Sequence, residues 1–238
     1  MSTCADLSIE FNTFTILGRC TRTGALGVAT STGEMAVGSR VPFVEDGVGA
    51  VATQALTDPR LGRMGLELLK AGRTAAEALE ALASSDPHIE SRQLGIVDAT
   101  GMAAARTGMG NSDWKGHIAE NGFVSMGNRL IGANVVDAMA DRFRSTEDAP
   151  LWERLMLSIE AGRDTGGQHG GQRSAALFVC DNLNYPLVDL RADENDEPVD
   201  ELRRLYDLYV PRIPYYRRRA ADPTIGPFSA WQESQGLD

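Results

Sequence analysis

Phe11-Asn-Thr-Phe-Thr-Ile-Leu17 is followed, after a Thr23–Gly24 turn, by Ala25-Leu-Gly-Val-Ala-Thr30. The first run is rich in Phe, Thr and Ile, and the second sets Ala and Val against Leu, Gly and Thr. Branched and aromatic residues fit a pleated, half-buried surface, and a glycine turn between two such runs predicts a β-hairpin. Val48 to Gln54 is short, apolar and bounded by Asp46–Gly47 and Asp58–Pro59, which predicts a strand buried on both faces. Gln93 to Asp98, Met102 to Arg106, Phe123 to Met126, Ser174 to Cys180 and Leu187 to Leu190 read as further strands.

Between these runs the hydrophobic period changes from two to 3.6. Leu61, Met64, Leu68 and Leu69 share one helical face. Thr74-Ala-Ala-Glu77 is a capping box, opening a second helix with Ala75, Ala78, Leu79 and Leu82 inward. Val135, Val136, Met139 and Phe143 form one later stripe, and Leu151, Leu155 and Ile159 form the next, with Gly162 taken as its end. Val199, Leu202, Leu205 and Tyr209 mark a last helix. The order is strands, helix pair, strands, helix pair, strands, helix. Short turns favour antiparallel pairing, so an α+β architecture with sheets in the middle and helix pairs outside is expected. Residues 1–12 form an extension, 13–210 one domain, and 211–238 an extended arm with a Tyr215-Tyr-Arg-Arg-Arg219 patch. The aromatic arm suggests a homo-oligomer wrapped by its tail.

Composition excludes several classes of function. The 238 residues carry 23 Lys and Arg against 33 Asp and Glu, a net charge of −10. Nucleic acid wants a basic face, and an anionic membrane wants the same. No apolar run reaches the ~18 residues of a membrane span. Asp6 and Glu10 interrupt the leader where a signal peptide needs basic and then apolar residues. Three cysteines without CxxC spacing make no disulfide framework or zinc ribbon. A reduced, cytoplasmic protein is the expectation.

The remaining motifs are weighed residue by residue. Gly33 to Ser39 has the glycine spacing of a phosphate loop, but Ser39 stands where the lysine would be, so a simple turn is expected. His88, His117 and His169 share no metal-ligand spacing, and neither a metal nor a cofactor is implied. No GxSxG elbow supports a serine hydrolase; Ser39 or Ser174 with His169 is a third reading. Gln54, Gln93, Asn128, Gln172, Arg173 and Ser174 are polar residues at the ends of apolar strands. Buried amides and guanidinium groups need partners, so these residues either satisfy local turns or line one pocket. Thr13 and Thr15 crowd the first strand. A threonine hydroxyl is a poor nucleophile without a base; as residue one of a chain it can use its own α-amine, whose pKa is about 7.7–8.0.

Thr13-Phe-Thr-Ile-Leu-Gly-Arg19, Thr23-Gly-Ala-Leu-Gly-Val-Ala29 and Ala36-Val-Gly-Ser-Arg-Val-Pro42 together resemble the opening of the DUF1028 family. Gly47 to Gln54 with Asp58–Pro59, Arg92 to Asp98, Gly127–Asn128 and Gln172 to Leu177 extend the resemblance across residues 12–204. The family is described as Ntn-hydrolase-like. The resemblance therefore implies a four-layer αββα sandwich of two antiparallel sheets between helix layers. It also implies hydrolysis of a small amide or ureide C–N bond by an N-terminal nucleophile. Thr13 would be the nucleophile and Asn128 the oxyanion donor. Thr15, Gln54, Gln93 and Gln172 would shape the pocket, and Arg40 or Arg173 would hold a substrate carboxylate. Family members usually place the matching threonine directly after the initiator Met, whereas twelve residues precede Thr13 here. Either the natural start is later, or the chain cleaves itself after Asn12, or this member is a non-catalytic binding or scaffold protein.

Overall fold

The structure is a computed structural model that describes residues 12–236; residues 1–11 of the expected extension lie outside it. The chain runs β1 (Thr13–Arg19), β2 (Leu26–Thr32), β3 (Pro42–Glu45), β4 (Gly49–Ala55), α1 (Pro59–Lys70), α2 (Ala75–Ser85), β5 (Arg92–Asp98), β6 (Ala103–Thr107), β7 (Gly116–Glu120) and β8 (Phe123–Asn128). It continues with α3 (Ala133–Ser145), α4 (Leu151–Asp164), β9 (Ser174–Cys180), β10 (Pro186–Ala192), α5 (Pro198–Tyr209), α6 (Ile213–Ala221) and α7 (Phe228–Gln235).

The strands form two antiparallel sheets, one ordered β10-β9-β2-β1-β8-β7 and the other β3-β4-β5-β6. The predicted hairpin is the centre of the larger sheet. Its turn sets Thr13 opposite Thr32 and Thr15 opposite Thr30. Along β1, alternate side chains go to opposite faces. Phe14 and Ile16 pack with Val136, Met139, Leu155 and Ile159 of α3 and α4. Leu17, with Val28 and Met126, meets Ala50, Ala52 and Val97 of the smaller sheet. The outer face of that sheet, with Val51, Leu94 and Ile96, is covered by Leu61, Leu69, Ala78 and Leu82 of α1 and α2. Three apolar layers thus alternate with helices, sheet, sheet and helices, an α+β sandwich.

Local chemistry explains the helix ends. Asp58 caps α1 by accepting from the Arg60 N–H, and Pro59 occupies the first turn, where its missing N–H costs nothing. Thr74 and Glu77 form both halves of the predicted capping box. The outer layer on α3 and α4 needs a gap in β1. A Cβ on Gly18 would lie 2.5 Å from the Phe143 ring, so only glycine admits that ring.

Two expectations need correction, and two strands were not expected. Gly162 does not end its helix: α4 continues to Asp164, and Gly162 lets Met139 and Phe14 approach its backbone. β3 and β7 carry little sequence signal, because one is four residues long and opens on Pro42 and the other is a partly exposed edge strand. The segment after residue 210 is not extended. It folds as α6 and α7; Ile213 joins the outer core, and Tyr215 packs against Phe228 and Trp231. Among the described residues, no helix is long and apolar enough to cross a membrane.

Candidate functional site

One end of the space between the sheets is filled by polar side chains. From the larger sheet come Thr13 and Thr15 of β1, Thr30 and Thr32 of β2 and Asn128 of β8. From the smaller come Gln54 of β4, Gln93 of β5 and Thr107 of β6. Register brings them together: Thr13 lies beside both Thr32 and Asn128, Gln54 faces Gln93, and Gln93 faces Thr107. Thr15, Thr30, Gln54 and Gln93 are wholly buried, and Thr13, Thr32 and Asn128 nearly so.

Their hydrogen bonds form a continuous relay. Thr15 donates to Gln54 Oε1 at 2.6 Å, and Thr30 lies 2.7 Å from the Thr15 hydroxyl. Gln54 Nε2 donates to Gln93 Oε1 at 2.7 Å and to the Thr13 carbonyl at 3.4 Å. Gln93 Oε1 also accepts from Asn128 Nδ2 at 3.1 Å. Gln93 Nε2 reaches Thr107 Oγ1 at 2.8 Å and the carbonyls of Gly127 and Gly116 at 2.9 and 3.0 Å. Gln93 is therefore the hub that ties the sheets together. Beyond it, Thr107 Oγ1 meets His117 Nδ1 at 2.8 Å. Desolvation pushes the pKa of His117 down, which favours the neutral imidazole.

The Thr13 hydroxyl sits 3.0 Å from that of Thr32. Thr32 spends its proton on the Asn12 carbonyl at 2.6 Å, so Thr13 is the donor of the pair. Gly33 N–H also faces the Asn12 carbonyl, at 3.3 Å. The carbonyl preceding Thr13 thus has two donors aimed at it.

Of the residues named from sequence, Thr13, Thr15, Gln54, Gln93 and Asn128 meet in this cluster. Gln172 lies outside it: its Oε1 accepts at 3.4 Å from Ser31, whose side chain, paired with Phe14, points to the opposite face of β2 from Thr30 and Thr32. Arg40 and Arg173 lie outside it: exposed Arg40 donates to the Met35 carbonyl, and Arg173 is paired with Glu194. The Ser174 hydroxyl is spent on the Glu34 carbonyl and the Val37 N–H, fixing the turn that follows β2. Ser39 is exposed and bonds within that turn. Among the described residues, no three His, Cys, Asp or Glu side chains converge as a metal site. Sequence reading missed Asn12, Thr30, Thr32 and Thr107. The first hairpin carried the signal for Thr30 and Thr32, since its turn fixes which residues oppose Thr13 and Thr15. Thr107 needed the β5–β6 register.

A search of curated proteins finds no match. The chain is 33% identical to a protein of known crystal structure, SPO2555 from Silicibacter pomeroyi, a DUF1028 protein. The two superpose with a TM-score of 0.77 over 83% of this chain and 88% of that one. A family model described as "Family of unknown function (DUF1028)" matches residues 13–202, beginning at Thr13. The chain belongs to the DUF1028 family.

Proposed function

We propose that the protein is an N-terminal-nucleophile-type hydrolase of a small amide or ureide C–N bond, on an Ntn-hydrolase-like αββα sandwich. Thr13 is the nucleophile in a chain that begins at Thr13. The observation that carries this reading is the setting of the Thr13 hydroxyl. It lies beside Thr32, next to Asn128 on the adjoining strand, and just after a carbonyl that Thr32 and Gly33 already hold.

With residues 1–12 released, the Thr13 α-amine takes the hydroxyl proton as oxygen bonds to the substrate carbonyl carbon. The developing oxyanion needs donors. Asn128 Nδ2 carries two hydrogens and gives one to Gln93, leaving the other for this charge. The C–N bond breaks, the leaving nitrogen takes the proton, and an ester on Thr13 remains. Water, deprotonated by the same amine, hydrolyses the ester and restores the hydroxyl. Gln93 and Gln54 are positioning residues: they fix Asn128 and the Thr13 backbone.

A second reading is favoured by the state of Thr13 in the chain that keeps Asn12. Thr13 is 3% exposed, its nitrogen is bonded to Asn12, and its hydroxyl is engaged. A chain that keeps residues 1–12 would be a binding or scaffold protein. Intact-mass spectrometry of the protein from its native host separates the two. A species beginning at Thr13, active on amides or ureides and silenced by Thr13→Ala, supports the hydrolase. Full turnover in Thr13→Ala refutes it. A species that retains residues 1–12 and reacts with no electrophile at Thr13 supports the scaffold.

A further inference from the structure

Asn12 is 4% exposed, and its carboxamide is held by backbone groups alone. The Gly33 N–H donates to Asn12 Oδ1 at 3.0 Å. Asn12 Nδ2 donates in turn to the His169 carbonyl in the glycine-rich loop between α4 and β9. Gly33 makes the room: a Cβ there would stand 2.3 Å from Asn12 Oδ1 and fill the cradle. At Gly170, by contrast, a Cβ would meet Nδ2 at an ordinary 3.5 Å.

We propose that this cradle is a carboxamide-recognition subsite, the acyl-side pocket of the Thr13 centre. Its place in a reaction rests on the hydrolase reading; the cradle itself stands on the contacts of Asn12. Asn12 then acts as a built-in substrate mimic. Its main-chain carbonyl occupies the position of the scissile carbonyl, and its side chain the position of the acyl group's substituent. The cradle offers one donor, the Gly33 N–H, which leans toward Asn12 Oδ1 and is shared with the Asn12 main-chain carbonyl, and one acceptor, the His169 carbonyl. A primary carboxamide or a terminal ureido group answers both. A carboxylate sets a second oxygen against the His169 carbonyl, and an alkyl group leaves both backbone groups unpaired. The substrate class is an amide whose acyl part carries a carboxamide or ureido group at the spacing found in asparagine.

The test uses the full chain and does not involve turnover. Asn12→Gly removes the carboxamide, and acetamide is the missing side chain as a free molecule. Acetamide is expected to raise the melting temperature of Asn12→Gly in a saturable way. It should leave the wild type unmoved, and acetate should not substitute for it. Adding Gly33→Ala should abolish the response. Equal shifts with acetate and acetamide, or an acetamide shift as large in wild type, overturn the proposal. If Asn12→Gly does not fold, Asn12→Asp and Asn12→Ala decide the matter. Asn12→Asp is expected to melt no higher than Asn12→Ala despite its closer shape, and an Asn12→Asp as stable as wild type overturns the proposal. An acetamide response, with no hydrolase activity in a chain that begins at Thr13, removes the hydrolase reading alone. Turnover without that response removes the subsite alone.

Discussion

Replacing Gln93 with leucine removes the hub between the sheets while nearly preserving volume. Gln93 is fully buried, and its Oε1 accepts from both Gln54 Nε2 and Asn128 Nδ2. Leucine leaves both amide hydrogens without that acceptor, in a region closed to water. Each orphaned buried donor costs about 1–3 kcal/mol, so the pair costs about 2–6 kcal/mol. The burial of an apolar side chain returns about 1–2 kcal/mol. At mid-range the net loss is about 2–3 kcal/mol, to which the Gly116 and Gly127 carbonyls, deprived of Gln93 Nε2, add further cost; this is a sizeable part of the stability of an ordinary protein. For a chain of this size that corresponds to a fall in Tm of about 5–15 °C. Urea denaturation should show a lower midpoint with an unchanged slope. The decisive comparison is a double-mutant cycle with Gln54→Leu. Once Gln54 is gone, one of the two orphans no longer exists. The double variant should therefore lose less than the sum of the singles, by about 1 kcal/mol or more. Additive losses, or a Gln93→Leu cost below about 1 kcal/mol, would refute the closed relay.

Asp98 is buried and accepts from the Ala75, Thr100 and Met102 N–H groups and the Thr100 hydroxyl. Burial alone would raise its pKa; these bonds prevail and hold it below the ordinary carboxylate value. Its contribution is therefore present above about pH 4 and lost as pH falls through the lower folded value. The urea midpoint of the wild type should drop more steeply between pH 4 and 2 than that of Asp98→Asn; parallel curves would remove Asp98 as the cause. Gly18→Ala forces a methyl against Phe143 and should cost about 1–3 kcal/mol by thermal denaturation; no loss would mean that the ring moves freely aside. Burial, reinforced by Asp46, Glu45 and Asp189, pushes the Cys180 thiol up to about 12. Native Cys180 should therefore escape iodoacetamide at pH 8 and be labelled only on unfolding, as peptide mass mapping would read; rapid labelling of the folded protein contradicts this.

Several features were fixed by neighbours along the chain and were legible there. The first hairpin follows from two β-prone runs and a glycine turn, and the α2 start follows from Thr74 and Glu77. The apolar periods named most of the residues that fill the outer layers, because periodicity records which face of an element avoids water; Met64 of α1 is exposed instead, and Leu66 is buried. The helical tail was not legible: Pro211, Pro214, Pro223 and Pro227 read as breakers, yet prolines sit in the opening turn of α6 and at the cap of α7.

For the site, sequence could name Gln54, Gln93 and Asn128 only as polar residues out of place at strand ends. Their partners are 35 to 39 residues away along the chain, as in Asn128 with Gln93 and Thr15 with Gln54. Two sheets must first stack before those amides can meet, and a slip of one residue in any strand would turn them to the opposite face. The cradle around Asn12 is further removed still, since His169 comes to it from 157 residues away. By itself the sequence determined most of the strands and helices up to α5, and that several strand-end polar groups would need partners, because those depend on local spacing. Only the tertiary structure decided which polar groups satisfy one another, because hydrogen bonds require atoms within about 3 Å, and that proximity is set by register and by sheet packing.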